Sequence, residues 1–592
     1  MIAQVVFDLP LDGPFDYLIP EHLIPQVVPG TCVKVSFGNK TKIGFVVGIL
    51  SQSTFTKLKP VMSLQDSSVV FSGLDLSFAH KFCAYYGCSL GEALGTMLRN
   101  KTDHSPCVCR DHKPMASLYC CRPDSYAVKI QEIIDGYTDS ASLAGSLSSP
   151  RKRESCFLIL APDIFRSQTL ALQLKGNCIF KIGMRSSVFE CDGRYDCVIM
   201  VDEEDPSYKQ ESMPMYETRH VLLMRYEMYG FDIAFVGVSP SVELISMARE
   251  KQIKTTEKLD VSLPPAKVVD LSNYKFIPGL LSPPVRDALE AALKAGKKSI
   301  LVLNRKGSYR LTRCIDCAEI LKCSHCDSPL IYSRSEGKYL CRHCTYTAAG
   351  DTVCPKCHKP SWRSVGIGVE QLQAELKKYF PQAKILAFER TTKPAMKSPE
   401  TKQSVFDFDI LISTKAVLRF QGRWQAHMAA FIDFDAELNR LDMRSAFNAF
   451  SFALHISSMA LEAVYIQTRK SPHYVLRSLS CGKTQVFYDE DLKLRRECGF
   501  SPFKHWIKIS WRGKSEKSTH QAAWQVYNNL NQTVNYTVTP PLADEVGRKR
   551  DQFRFNVMVQ ANHVPQAMMF IKSTLASIKR HSRVIVSLNV DP

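Results

Sequence analysis

The stretch DCVIMVDEED, residues 196–205, is a short apolar run that ends abruptly in acidic residues. Such a run is typical of a strand buried on both faces of a parallel sheet, and the polar end marks the turn that follows it. The pattern recurs in CFLILAP (156–162), DIAFVGVSP (232–240) and SILVLNR (299–305), with helical stretches in between. Strands that alternate with helices predict an α/β fold with a parallel sheet.

A second series of buried runs follows in AKILAF (383–388), FDILIST (408–414) and AAFIDFD (429–435). It predicts a second α/β lobe. The apolar stretch 446–464 is interrupted by polar residues, including His455, and is interpreted as a buried helix.

The two ends of the chain have other patterns. Residues 1–65 alternate apolar and polar residues, and VKVSFGNKTKIGFVVGI (33–49) predicts a hairpin with its turn at Gly38-Asn39-Lys40. Residues 76–98 have helical spacing, and residues 480–592 combine helices with alternating strands. The fold class is therefore multidomain α/β, with a β-rich N-terminal module and an α+β C-terminal domain.

The predicted domain division follows these changes of pattern, and residues 136–155 are interpreted as an exposed loop. The units are an N-terminal module (1–98), a linker region (99–155), a first lobe (156–310), an eight-cysteine insertion (311–360), a second lobe (361–478) and a C-terminal domain (479–592).

The composition limits the class of protein. The 592 residues are 45% hydrophobic and 23% charged, as in ordinary folded domains. A net charge of +18 favours a polyanionic partner, nucleic acid before an anionic membrane. The sequence shows neither a secretory signal nor an apolar run of about 18 residues, so no membrane partner is expected. The 21 cysteines then indicate thiols in a reducing cytoplasm.

Eight of these cysteines form four Cys-x-x-Cys pairs, with spacing C-x2-C-x5-C-x2-C-x14-C-x2-C-x9-C-x2-C from Cys314 to Cys357. Each pair places two thiolates at two corners of a tetrahedron around Zn²⁺, so four pairs predict two structural zinc ions. The spacing alone does not fix which pairs share an ion.

The order of motifs resembles one family. GPFDYLIP (13–20), MVDEEDPSYKQ (200–210), LNRKGSYRLTRC (303–314), the eight cysteines and the closing VDP are similar to bacterial primosomal protein N′, the PriA family of replication-restart helicases. The resemblance covers nearly the whole chain. It implies an N-terminal module that binds the 3′ end of the nascent leading strand, a linker with a remnant winged-helix region in 99–155 and two RecA-like helicase lobes. It also implies a zinc insertion that contacts single-stranded DNA and primosome proteins, and a C-terminal DNA-binding domain.

The resemblance also implies the site residues. In the N-terminal module it implies a 3′-end pocket of Phe15, Asp16, Tyr17, Gly38 and Lys59, with an aromatic ring for the base, a carboxylate or backbone nest for the hydroxyl and a cation for phosphate. In the insertion it implies that the first and last pairs share one zinc and the middle pairs the other. The two sets are Cys314, Cys317, Cys354 and Cys357, and Cys323, Cys326, Cys341 and Cys344.

The ATP motifs depart from the family pattern. A phosphate loop needs G-x-x-x-x-G-K-[ST], and the stretch assigned to it, SLAGSLSSPRKRES (142–155), lacks the final Gly-Lys-Ser/Thr. Asp202 and Glu203 are a Walker B remnant that could serve Mg²⁺ and water, or could remain as an acidic strand end retained for folding. The window LHISSMALEAVYIQT (454–468), which stands where the family brings its arginine fingers, has no arginine. The sequence therefore argues against ATP hydrolysis and makes ATP and Mg²⁺ doubtful cofactors.

Three hypotheses remain. The first is a cytoplasmic, nucleoid-associated restart protein that binds forked and single-stranded DNA and recruits primosome and helicase-loading proteins and single-stranded-DNA-binding protein, without its own helicase activity. The second is an active 3′-to-5′ helicase with non-standard motifs. The third is an interaction scaffold without DNA, which the basic charge and the 3′-end module disfavour.

Overall fold

A computed structural model of the chain gives the architecture. It describes residues 1–65, 69–99, 114–143, 155–175, 179–255, 261–274, 279–303, 311–317, 319–324, 329–333, 337–341, 346–365, 368–388, 407–440, 442–532, 536–549, 551–578 and 583–592.

The N-terminal module is a five-stranded antiparallel sheet in the order β2-β1-β4-β3-β5. Its strands are β1 (Ile2–Val6), β2 (Phe15–Leu18), β3 (Cys32–Phe37), β4 (Lys40–Leu50) and β5 (Val61–Leu64). The predicted hairpin is confirmed, because Phe37 pairs with Lys40 across a tight turn. Gly38 in that turn has a φ of +59°, a conformation that glycine adopts without a steric penalty.

Two helices follow the sheet, α1 (Gly73–Tyr86) and α2 (Leu90–Leu98). Ser72 and Ser89 cap them, each in a capping box with an acidic residue three positions later. The predicted helical stretch is thus two helices. The break lies at Gly87, whose φ of +70° ends α1.

The first α/β lobe is a six-stranded parallel sheet in the order β11-β6-β10-β9-β7-β8. Its elements are β6 (Ala116–Cys120), α3 (Tyr126–Leu143), β7 (Cys156–Leu160), α4 (Ile164–Gln173), β8 (Ile179–Gly183), β9 (Cys197–Val201), α5 (Thr218–Tyr229), β10 (Asp232–Gly237), α6 (Val242–Arg249) and β11 (Lys254–Thr255).

The predicted start of this lobe at residue 156 is wrong. Strand β6 lies inside the sheet, paired with β10 on one side and β11 on the other, and α3 connects it to β7. The sequence of β6 is ASLYC, which lacks the continuous apolar run that predicted the other buried strands. Helix α3 also extends through residues 136–143, which had been interpreted as a loop.

The predicted end of the first lobe at residue 310 is also wrong. β12 (Ala266–Asp270), α7 (Pro283–Lys294) and β13 (Ser299–Val302) belong to the second sheet. β12 pairs with residues 464–468, and β13 lies between strands at 410–413 and 428–431. Buried strands of either lobe have the same apolar pattern, so the pattern does not reveal which sheet a strand joins.

The insertion therefore interrupts the second lobe and does not lie at the junction of the two lobes. It consists of β14 (Leu311–Cys314), β15 (Ile331–Ser333), β16 (Lys338–Leu340), β17 (Thr347–Ala349) and β18 (Trp362–Val365). β14 pairs with β18, and β15, β16 and β17 form a small antiparallel sheet.

The second lobe continues with α8 (Val369–Tyr379), β19 (Ile385–Phe388), β20 (Ile410–Ser413), β21 (Ala426–Phe431), α9 (Asp435–Leu438), α10 (Ser445–Ser457), β22 (Ala460–Thr468) and α11 (Tyr474–Cys481). Its parallel sheet has the order β12-β22-β21-β13-β20-β19. The stretch 446–464, interpreted as one helix, is instead α10 followed by the first half of β22.

The C-terminal domain contains α12 (Thr484–Cys498), β23 (His505–Gly513), α13 (Glu516–Leu530), β24 (Thr537–Val538), β25 (Leu542–Lys549), β26 (Gln552–Ala561), α14 (Val564–Ser577) and β27 (Val584–Val590). The sheet is antiparallel in the order β24-β26-β23-β27, with β25 also paired to β26. This confirms the α+β prediction. Across the described residues, no helix combines the length and the apolar character needed to span a membrane.

Candidate functional site

The carboxyl end of β9 is the first candidate site. Asp202 follows β9 with a φ of +48° and is almost completely buried. Its carboxylate accepts a hydrogen bond from the Tyr126 hydroxyl and pairs with Arg166 Nη2 at 3.1 Å. A phenol from the start of α3 and a guanidinium from α4 therefore surround the carboxylate that the sequence assigned to Mg²⁺.

The turn after β6 is the place where a phosphate loop would lie, because β6 is the first strand of the lobe and α3 follows it. Residues 121–128 read CRPDSYAV, without the glycines, the lysine or the terminal hydroxyl residue of G-x-x-x-x-G-K-[ST]. The stretch 142–155, to which the sequence analysis assigned the loop, begins at the end of α3, and residues 144–154 lie outside the described part of the chain. The assignment to 142–155 is corrected to 121–128, and neither stretch has a phosphate cradle.

Glu203 does not face this edge. Its carboxylate accepts the backbone N–H of Ser241 at 2.6 Å and pairs with Arg219 Nη1 at 2.8 Å. Burial raises the pKa of Glu203, and the guanidinium of Arg219 opposes that rise. These contacts join the end of β9 to the N-terminus of α6. They favour a role for Glu203 in folding over a role in orienting an attacking water.

Glu204 and His455 meet across the two lobes. Glu204 Oε1 lies 2.9 Å from His455 Nε2 and accepts a hydrogen bond of 2.7 Å from the Ser239 hydroxyl. Burial lowers the pKa of His455, but the hydrogen bond with Glu204 and the nearby charge of Asp202 outweigh it and raise that pKa above its ordinary value. Glu204 and His455 therefore form a hydrogen bond between the lobes, which is an ion pair whenever His455 is protonated.

Gln421, after β20 in the second lobe, extends this contact. Its amide lies 2.8 Å from Arg166 Nη2 and 2.9 Å from His455 Nδ1. Tyr126, Arg166, Asp202, Glu204, Gln421 and His455 together are called the interlobe network. Nearby, Arg122 donates to the Ser458 carbonyl at 3.0 Å, which is a further contact between the two lobes at this place.

The interlobe network contains three side chains of types that bind metal ions, namely Asp202, Glu204 and His455. Donor atoms of Asp202, Glu204 and His455 lie within 4.8 Å of one another, so the cluster could hold a cation. The Arg166 guanidinium, 3.1 Å from Asp202, already supplies positive charge at this carboxylate. The cluster therefore does not fit a nucleotide-bound Mg²⁺.

Replacement of Arg166 tests the network. Arg166→Met leaves the buried Asp202 carboxylate without its cation, and we expect the free energy of unfolding to fall by about 3 kcal/mol. Adding Asp202→Asn should restore most of it, because the remaining group is neutral. Equilibrium urea denaturation measures both. The control is Arg249→Met, which breaks an exposed pair with Asp489 and should cost less than about 1 kcal/mol. Equal losses for the two arginines would contradict the network.

The second candidate site lies at the ends of the insertion. The Sγ atoms of Cys314, Cys317, Cys354 and Cys357 lie within 4.8 Å of one another. The Sγ atoms of Cys314 and Cys357 are 3.5 Å apart, as are those of Cys317 and Cys354. Burial raises the pKa of Cys354, but backbone N–H groups of Cys357 and Lys356 bring it down to about 7. The structure thus brings together the first predicted set, a donor set that suits zinc.

The other predicted set is described in part. Cys323 is buried in a small core with Leu321, Leu330 and Tyr339, and Cys341 packs against it. Cys326 and Cys344 lie outside the described residues. The second zinc site stays a prediction.

The third candidate site is at one edge of the N-terminal sheet. Lys59 Nζ donates to the Gly38 carbonyl at 3.2 Å, and both residues are exposed. The backbone N–H of Leu18 donates to the Lys59 carbonyl at 3.0 Å, which places Lys59 beside β2. Asp16 on β2 accepts a hydrogen bond from the Ser53 hydroxyl at 2.5 Å. The predicted cation and turn are therefore in contact, beside the strand that carries the predicted carboxylate.

The two aromatic residues of this predicted pocket differ. Phe15 is half-buried against Phe37, with ring centroids 5.3 Å apart. Tyr17 is 5% exposed, and its hydroxyl donates to the Ser36 carbonyl at 3.0 Å. Side chains alternate along β2, so Tyr17 points into the core, and its proposed contact with a DNA base is not supported.

His455, Arg166 and Gln421 were not identified from the sequence as site residues. Arg166 and Gln421 are 255 positions apart, and their contact depends on how the lobes pack. The one signal for His455 was a histidine that interrupts an apolar stretch.

Comparison with known proteins agrees with these features. Residues 4–99 match the family model of the 3′ DNA-binding domain (3′BD) of PriA. Replication restart protein PriA of Treponema pallidum is 25% identical, with 100% of this chain and 99% of the relative covered. That of Rickettsia conorii is 23% identical with the same coverage. A solved structure, the Escherichia coli DEAH/RHA helicase HrpB, overlaps 61% of this chain and 41% of its own at 10% identity with a TM-score of 0.31, too weak to compare folds. The match of the N-terminal domain and the similarity to relatives over their whole length support a divergent PriA, as the order of motifs predicted.

Proposed function

We propose that this protein acts in replication restart by binding stalled or abandoned DNA forks and helping to reload the replication machinery, without helicase activity of its own. The observation that carries the proposal is the contrast between its two sites. The N-terminal module keeps a carboxylate, a glycine turn and a lysine at one edge, whereas the position of the phosphate loop lacks its glycines and lysine and contributes Tyr126 to the interlobe network.

The exposed edge suits the 3′ end of a DNA strand. A free 3′-hydroxyl can donate a hydrogen bond to the Asp16 carboxylate, and Lys59 can neutralise the adjacent phosphate. A 3′-phosphate would bring negative charge to the same carboxylate. The edge should therefore distinguish a hydroxyl end from a phosphorylated one.

The contacts between the two lobes favour a structural role for the lobes over nucleotide-driven movement. A helicase opens and closes the cleft between its lobes as nucleotide binds and leaves. Here Glu204 and Gln421 form partly buried hydrogen bonds to groups of the opposite lobe. In the described residues 454–468, no arginine is available as an arginine finger.

The insertion is the proposed surface for protein partners, namely primosome and helicase-loading proteins and single-stranded-DNA-binding protein. Ile315 and Val353, next to the ligands Cys314 and Cys354, are 66% and 50% exposed. Exposed apolar residues that lie beside a cysteine cluster can form part of a protein contact surface. We place the protein in the cytoplasm, at the nucleoid.

Binding to synthetic forks tests the proposal. We expect a leading-strand 3′-hydroxyl fork to bind about tenfold more tightly than the same fork with a 3′-phosphate, equivalent to about 1.4 kcal/mol. Fluorescence anisotropy at fixed salt measures both affinities. Asp16→Asn should abolish most of the preference, because it removes the carboxylate charge that repels the 3′-phosphate. Lys59→Ala should weaken binding to both forks and reduce the salt slope by about 1.

The matched control is Lys57→Ala, an exposed lysine two positions away. It should keep the preference for the hydroxyl end. Equal affinity of the unmodified protein for the two forks would remove the 3′-end assignment.

A further inference from the structure

Strand β27 lies at one edge of the C-terminal sheet. It pairs with β23 on one side, and no other strand of the described residues pairs with it. An edge strand presents N–H and C=O groups that another extended chain can bind, so folded proteins usually protect such edges with charged residues, proline or a bulge. The sequence of β27 is VIVSLNV, which has neither a charge nor a proline, and its register with β23 is continuous.

The backbone groups of β27 alternate between those that face β23 and those that face away from it. The N–H of Asp591 donates to the Trp506 carbonyl at 2.8 Å, so the odd-numbered residues of the strand face β23. The carbonyl of Val590 faces away and accepts a hydrogen bond of 2.7 Å from Lys209 Nζ. The other residues whose backbone groups face outward by the same alternation are Val584, Val586 and Leu588.

Lys209 covers one end of this edge and leaves the rest free. Its ammonium group occupies the outward acceptor at Val590. In the described part of the chain, nothing hydrogen-bonds to the outward backbone groups of Val584, Val586 or Leu588. Residues 584–588 are called the free edge.

Apolar side chains are exposed on both sides of the free edge. Ile585 is 45% exposed on one face of the sheet, and Val586 is 37% exposed on the other. An added strand would place its own side chains beside both residues and remove them from water. The free edge therefore suits an extended segment that carries apolar side chains.

The charges around the free edge favour a partner protein over a second copy of this chain. Arg583 immediately precedes the strand, and Arg512 of β23 lies opposite Ile585. Both arginines are exposed, and among the described residues neither has a carboxylate within ion-pairing distance. The net charge of +18 opposes the association of two copies, whereas an acidic residue of another protein would pair with either guanidinium.

We propose that β27 binds an extended segment of a partner protein, which adds a strand to the C-terminal sheet along residues 584–588 and places an acidic residue beside Arg583. The inference goes beyond the proposed function, because it concerns a protein ligand and does not depend on fork binding. It assigns a surface for partners that is separate from the insertion.

A designed peptide is the probe, because the natural segment is unidentified. It alternates valine and threonine over about eight residues and ends in two glutamates, which lie beside Arg583 when the peptide pairs antiparallel to β27. Fluorescence anisotropy with the full-length protein should show saturable binding. Val586→Pro should weaken that binding at least tenfold, because proline removes an outward N–H and its ring crowds the added strand.

Two altered peptides test the chemistry on the unmodified protein. N-methylation of two adjacent central residues removes a donor from each edge of the peptide, and it should weaken binding at least tenfold. Replacement of the two glutamates by lysines should weaken binding at least fivefold, because the lysines meet Arg583 and Arg512.

The matched control for folding is Ile585→Pro. Proline is tolerated in an edge strand where its nitrogen faces solvent, so Val586→Pro should keep the unfolding temperature within about 2 °C. Ile585→Pro removes an N–H that faces β23 and should lower that temperature by more. Val586→Pro should also keep the preference for a 3′-hydroxyl fork, because the N-terminal module is a separate sheet.

Hydrogen exchange tests the free edge without any variant. In the unmodified protein the amide of Val586 should exchange at least about 100-fold faster than the amides of Ile585 and Ser587, which are bonded to β23. Saturating peptide should slow the exchange of Val586 at least tenfold.

The outcomes are distinct. Equal affinity of Val586→Pro and the unmodified protein for the peptide would overturn the inference, and so would slow exchange of the Val586 amide without peptide. Equal binding of the lysine peptide would remove the acidic residue from it. A dimer that forms with rising concentration and is lost in Val586→Pro would assign the free edge to a second copy of the chain and overturn the choice of a partner protein.

Discussion

The full-length, zinc-loaded protein should release phosphate from ATP on saturating forked DNA no faster than its Asp202→Asn variant. An arginine finger alone accounts for about 10³-fold or more in rate, and a phosphate loop supplies the backbone N–H groups and lysine that hold the nucleotide. The loop position reads CRPDSYAV, and Tyr126 from it donates to the carboxylate that would serve Mg²⁺. Phosphate release with and without fork DNA measures this expectation.

The control for phosphate release is Asp489→Asn, which changes an exposed carboxylate on α12 paired with Arg249. It should behave like the unmodified protein. Fork-stimulated turnover that Asp489→Asn keeps and Asp202→Asn abolishes would establish the active helicase instead.

Zinc should have the second large effect. We expect two zinc ions per purified chain, and Cys354→Ser should reduce the content to one, because it removes a ligand of the cluster at the ends of the insertion. Structural zinc contributes about 10–16 kcal/mol of apparent binding free energy at neutral pH, far more than a small insertion gains from its own core. A strong chelator should therefore unfold the insertion. Metal analysis by mass spectrometry and limited proteolysis between β13 and α8 measure these effects.

The matched control is Cys481→Ser, at an exposed thiol in the last turn of α11. It should keep two zinc ions and the same proteolysis pattern. An unchanged zinc content in Cys354→Ser would contradict the assigned ligand set.

Local sequence patterns predicted most strands and helices, but they did not predict which strands pair with one another. Apolar runs located β7, β9 and β10, because strands buried on both faces cannot contain exposed polar residues. The run ASLYC of β6 has no such signature, since its burial comes from its two neighbouring strands. β12 and β13 look like strands of either lobe, and only their long-range partners assign them to the second.

The sites divide in the same way. The spacing of the cysteines in the insertion predicts that they are metal ligands, since Cys-x-x-Cys turns suit tetrahedral ligation. Asp16, Gly38 and Lys59 came from a resemblance. Lys59 contacts Gly38 beside the strand that carries Asp16, whereas the alternation of β2 turns Tyr17 inward. The interlobe network joins residues more than 250 positions apart, and such contacts have no local signal.

One gel assay tests the central claim most directly, because it detects fork binding and strand release in the same sample. The full-length protein is mixed with a labelled fork that has a leading-strand 3′-hydroxyl, with and without ATP and Mg²⁺. The claim that this chain binds forks but does not move along them predicts a bound fork and intact duplex arms under both conditions. ATP-dependent release of a strand, lost in Asp202→Asn, would contradict it.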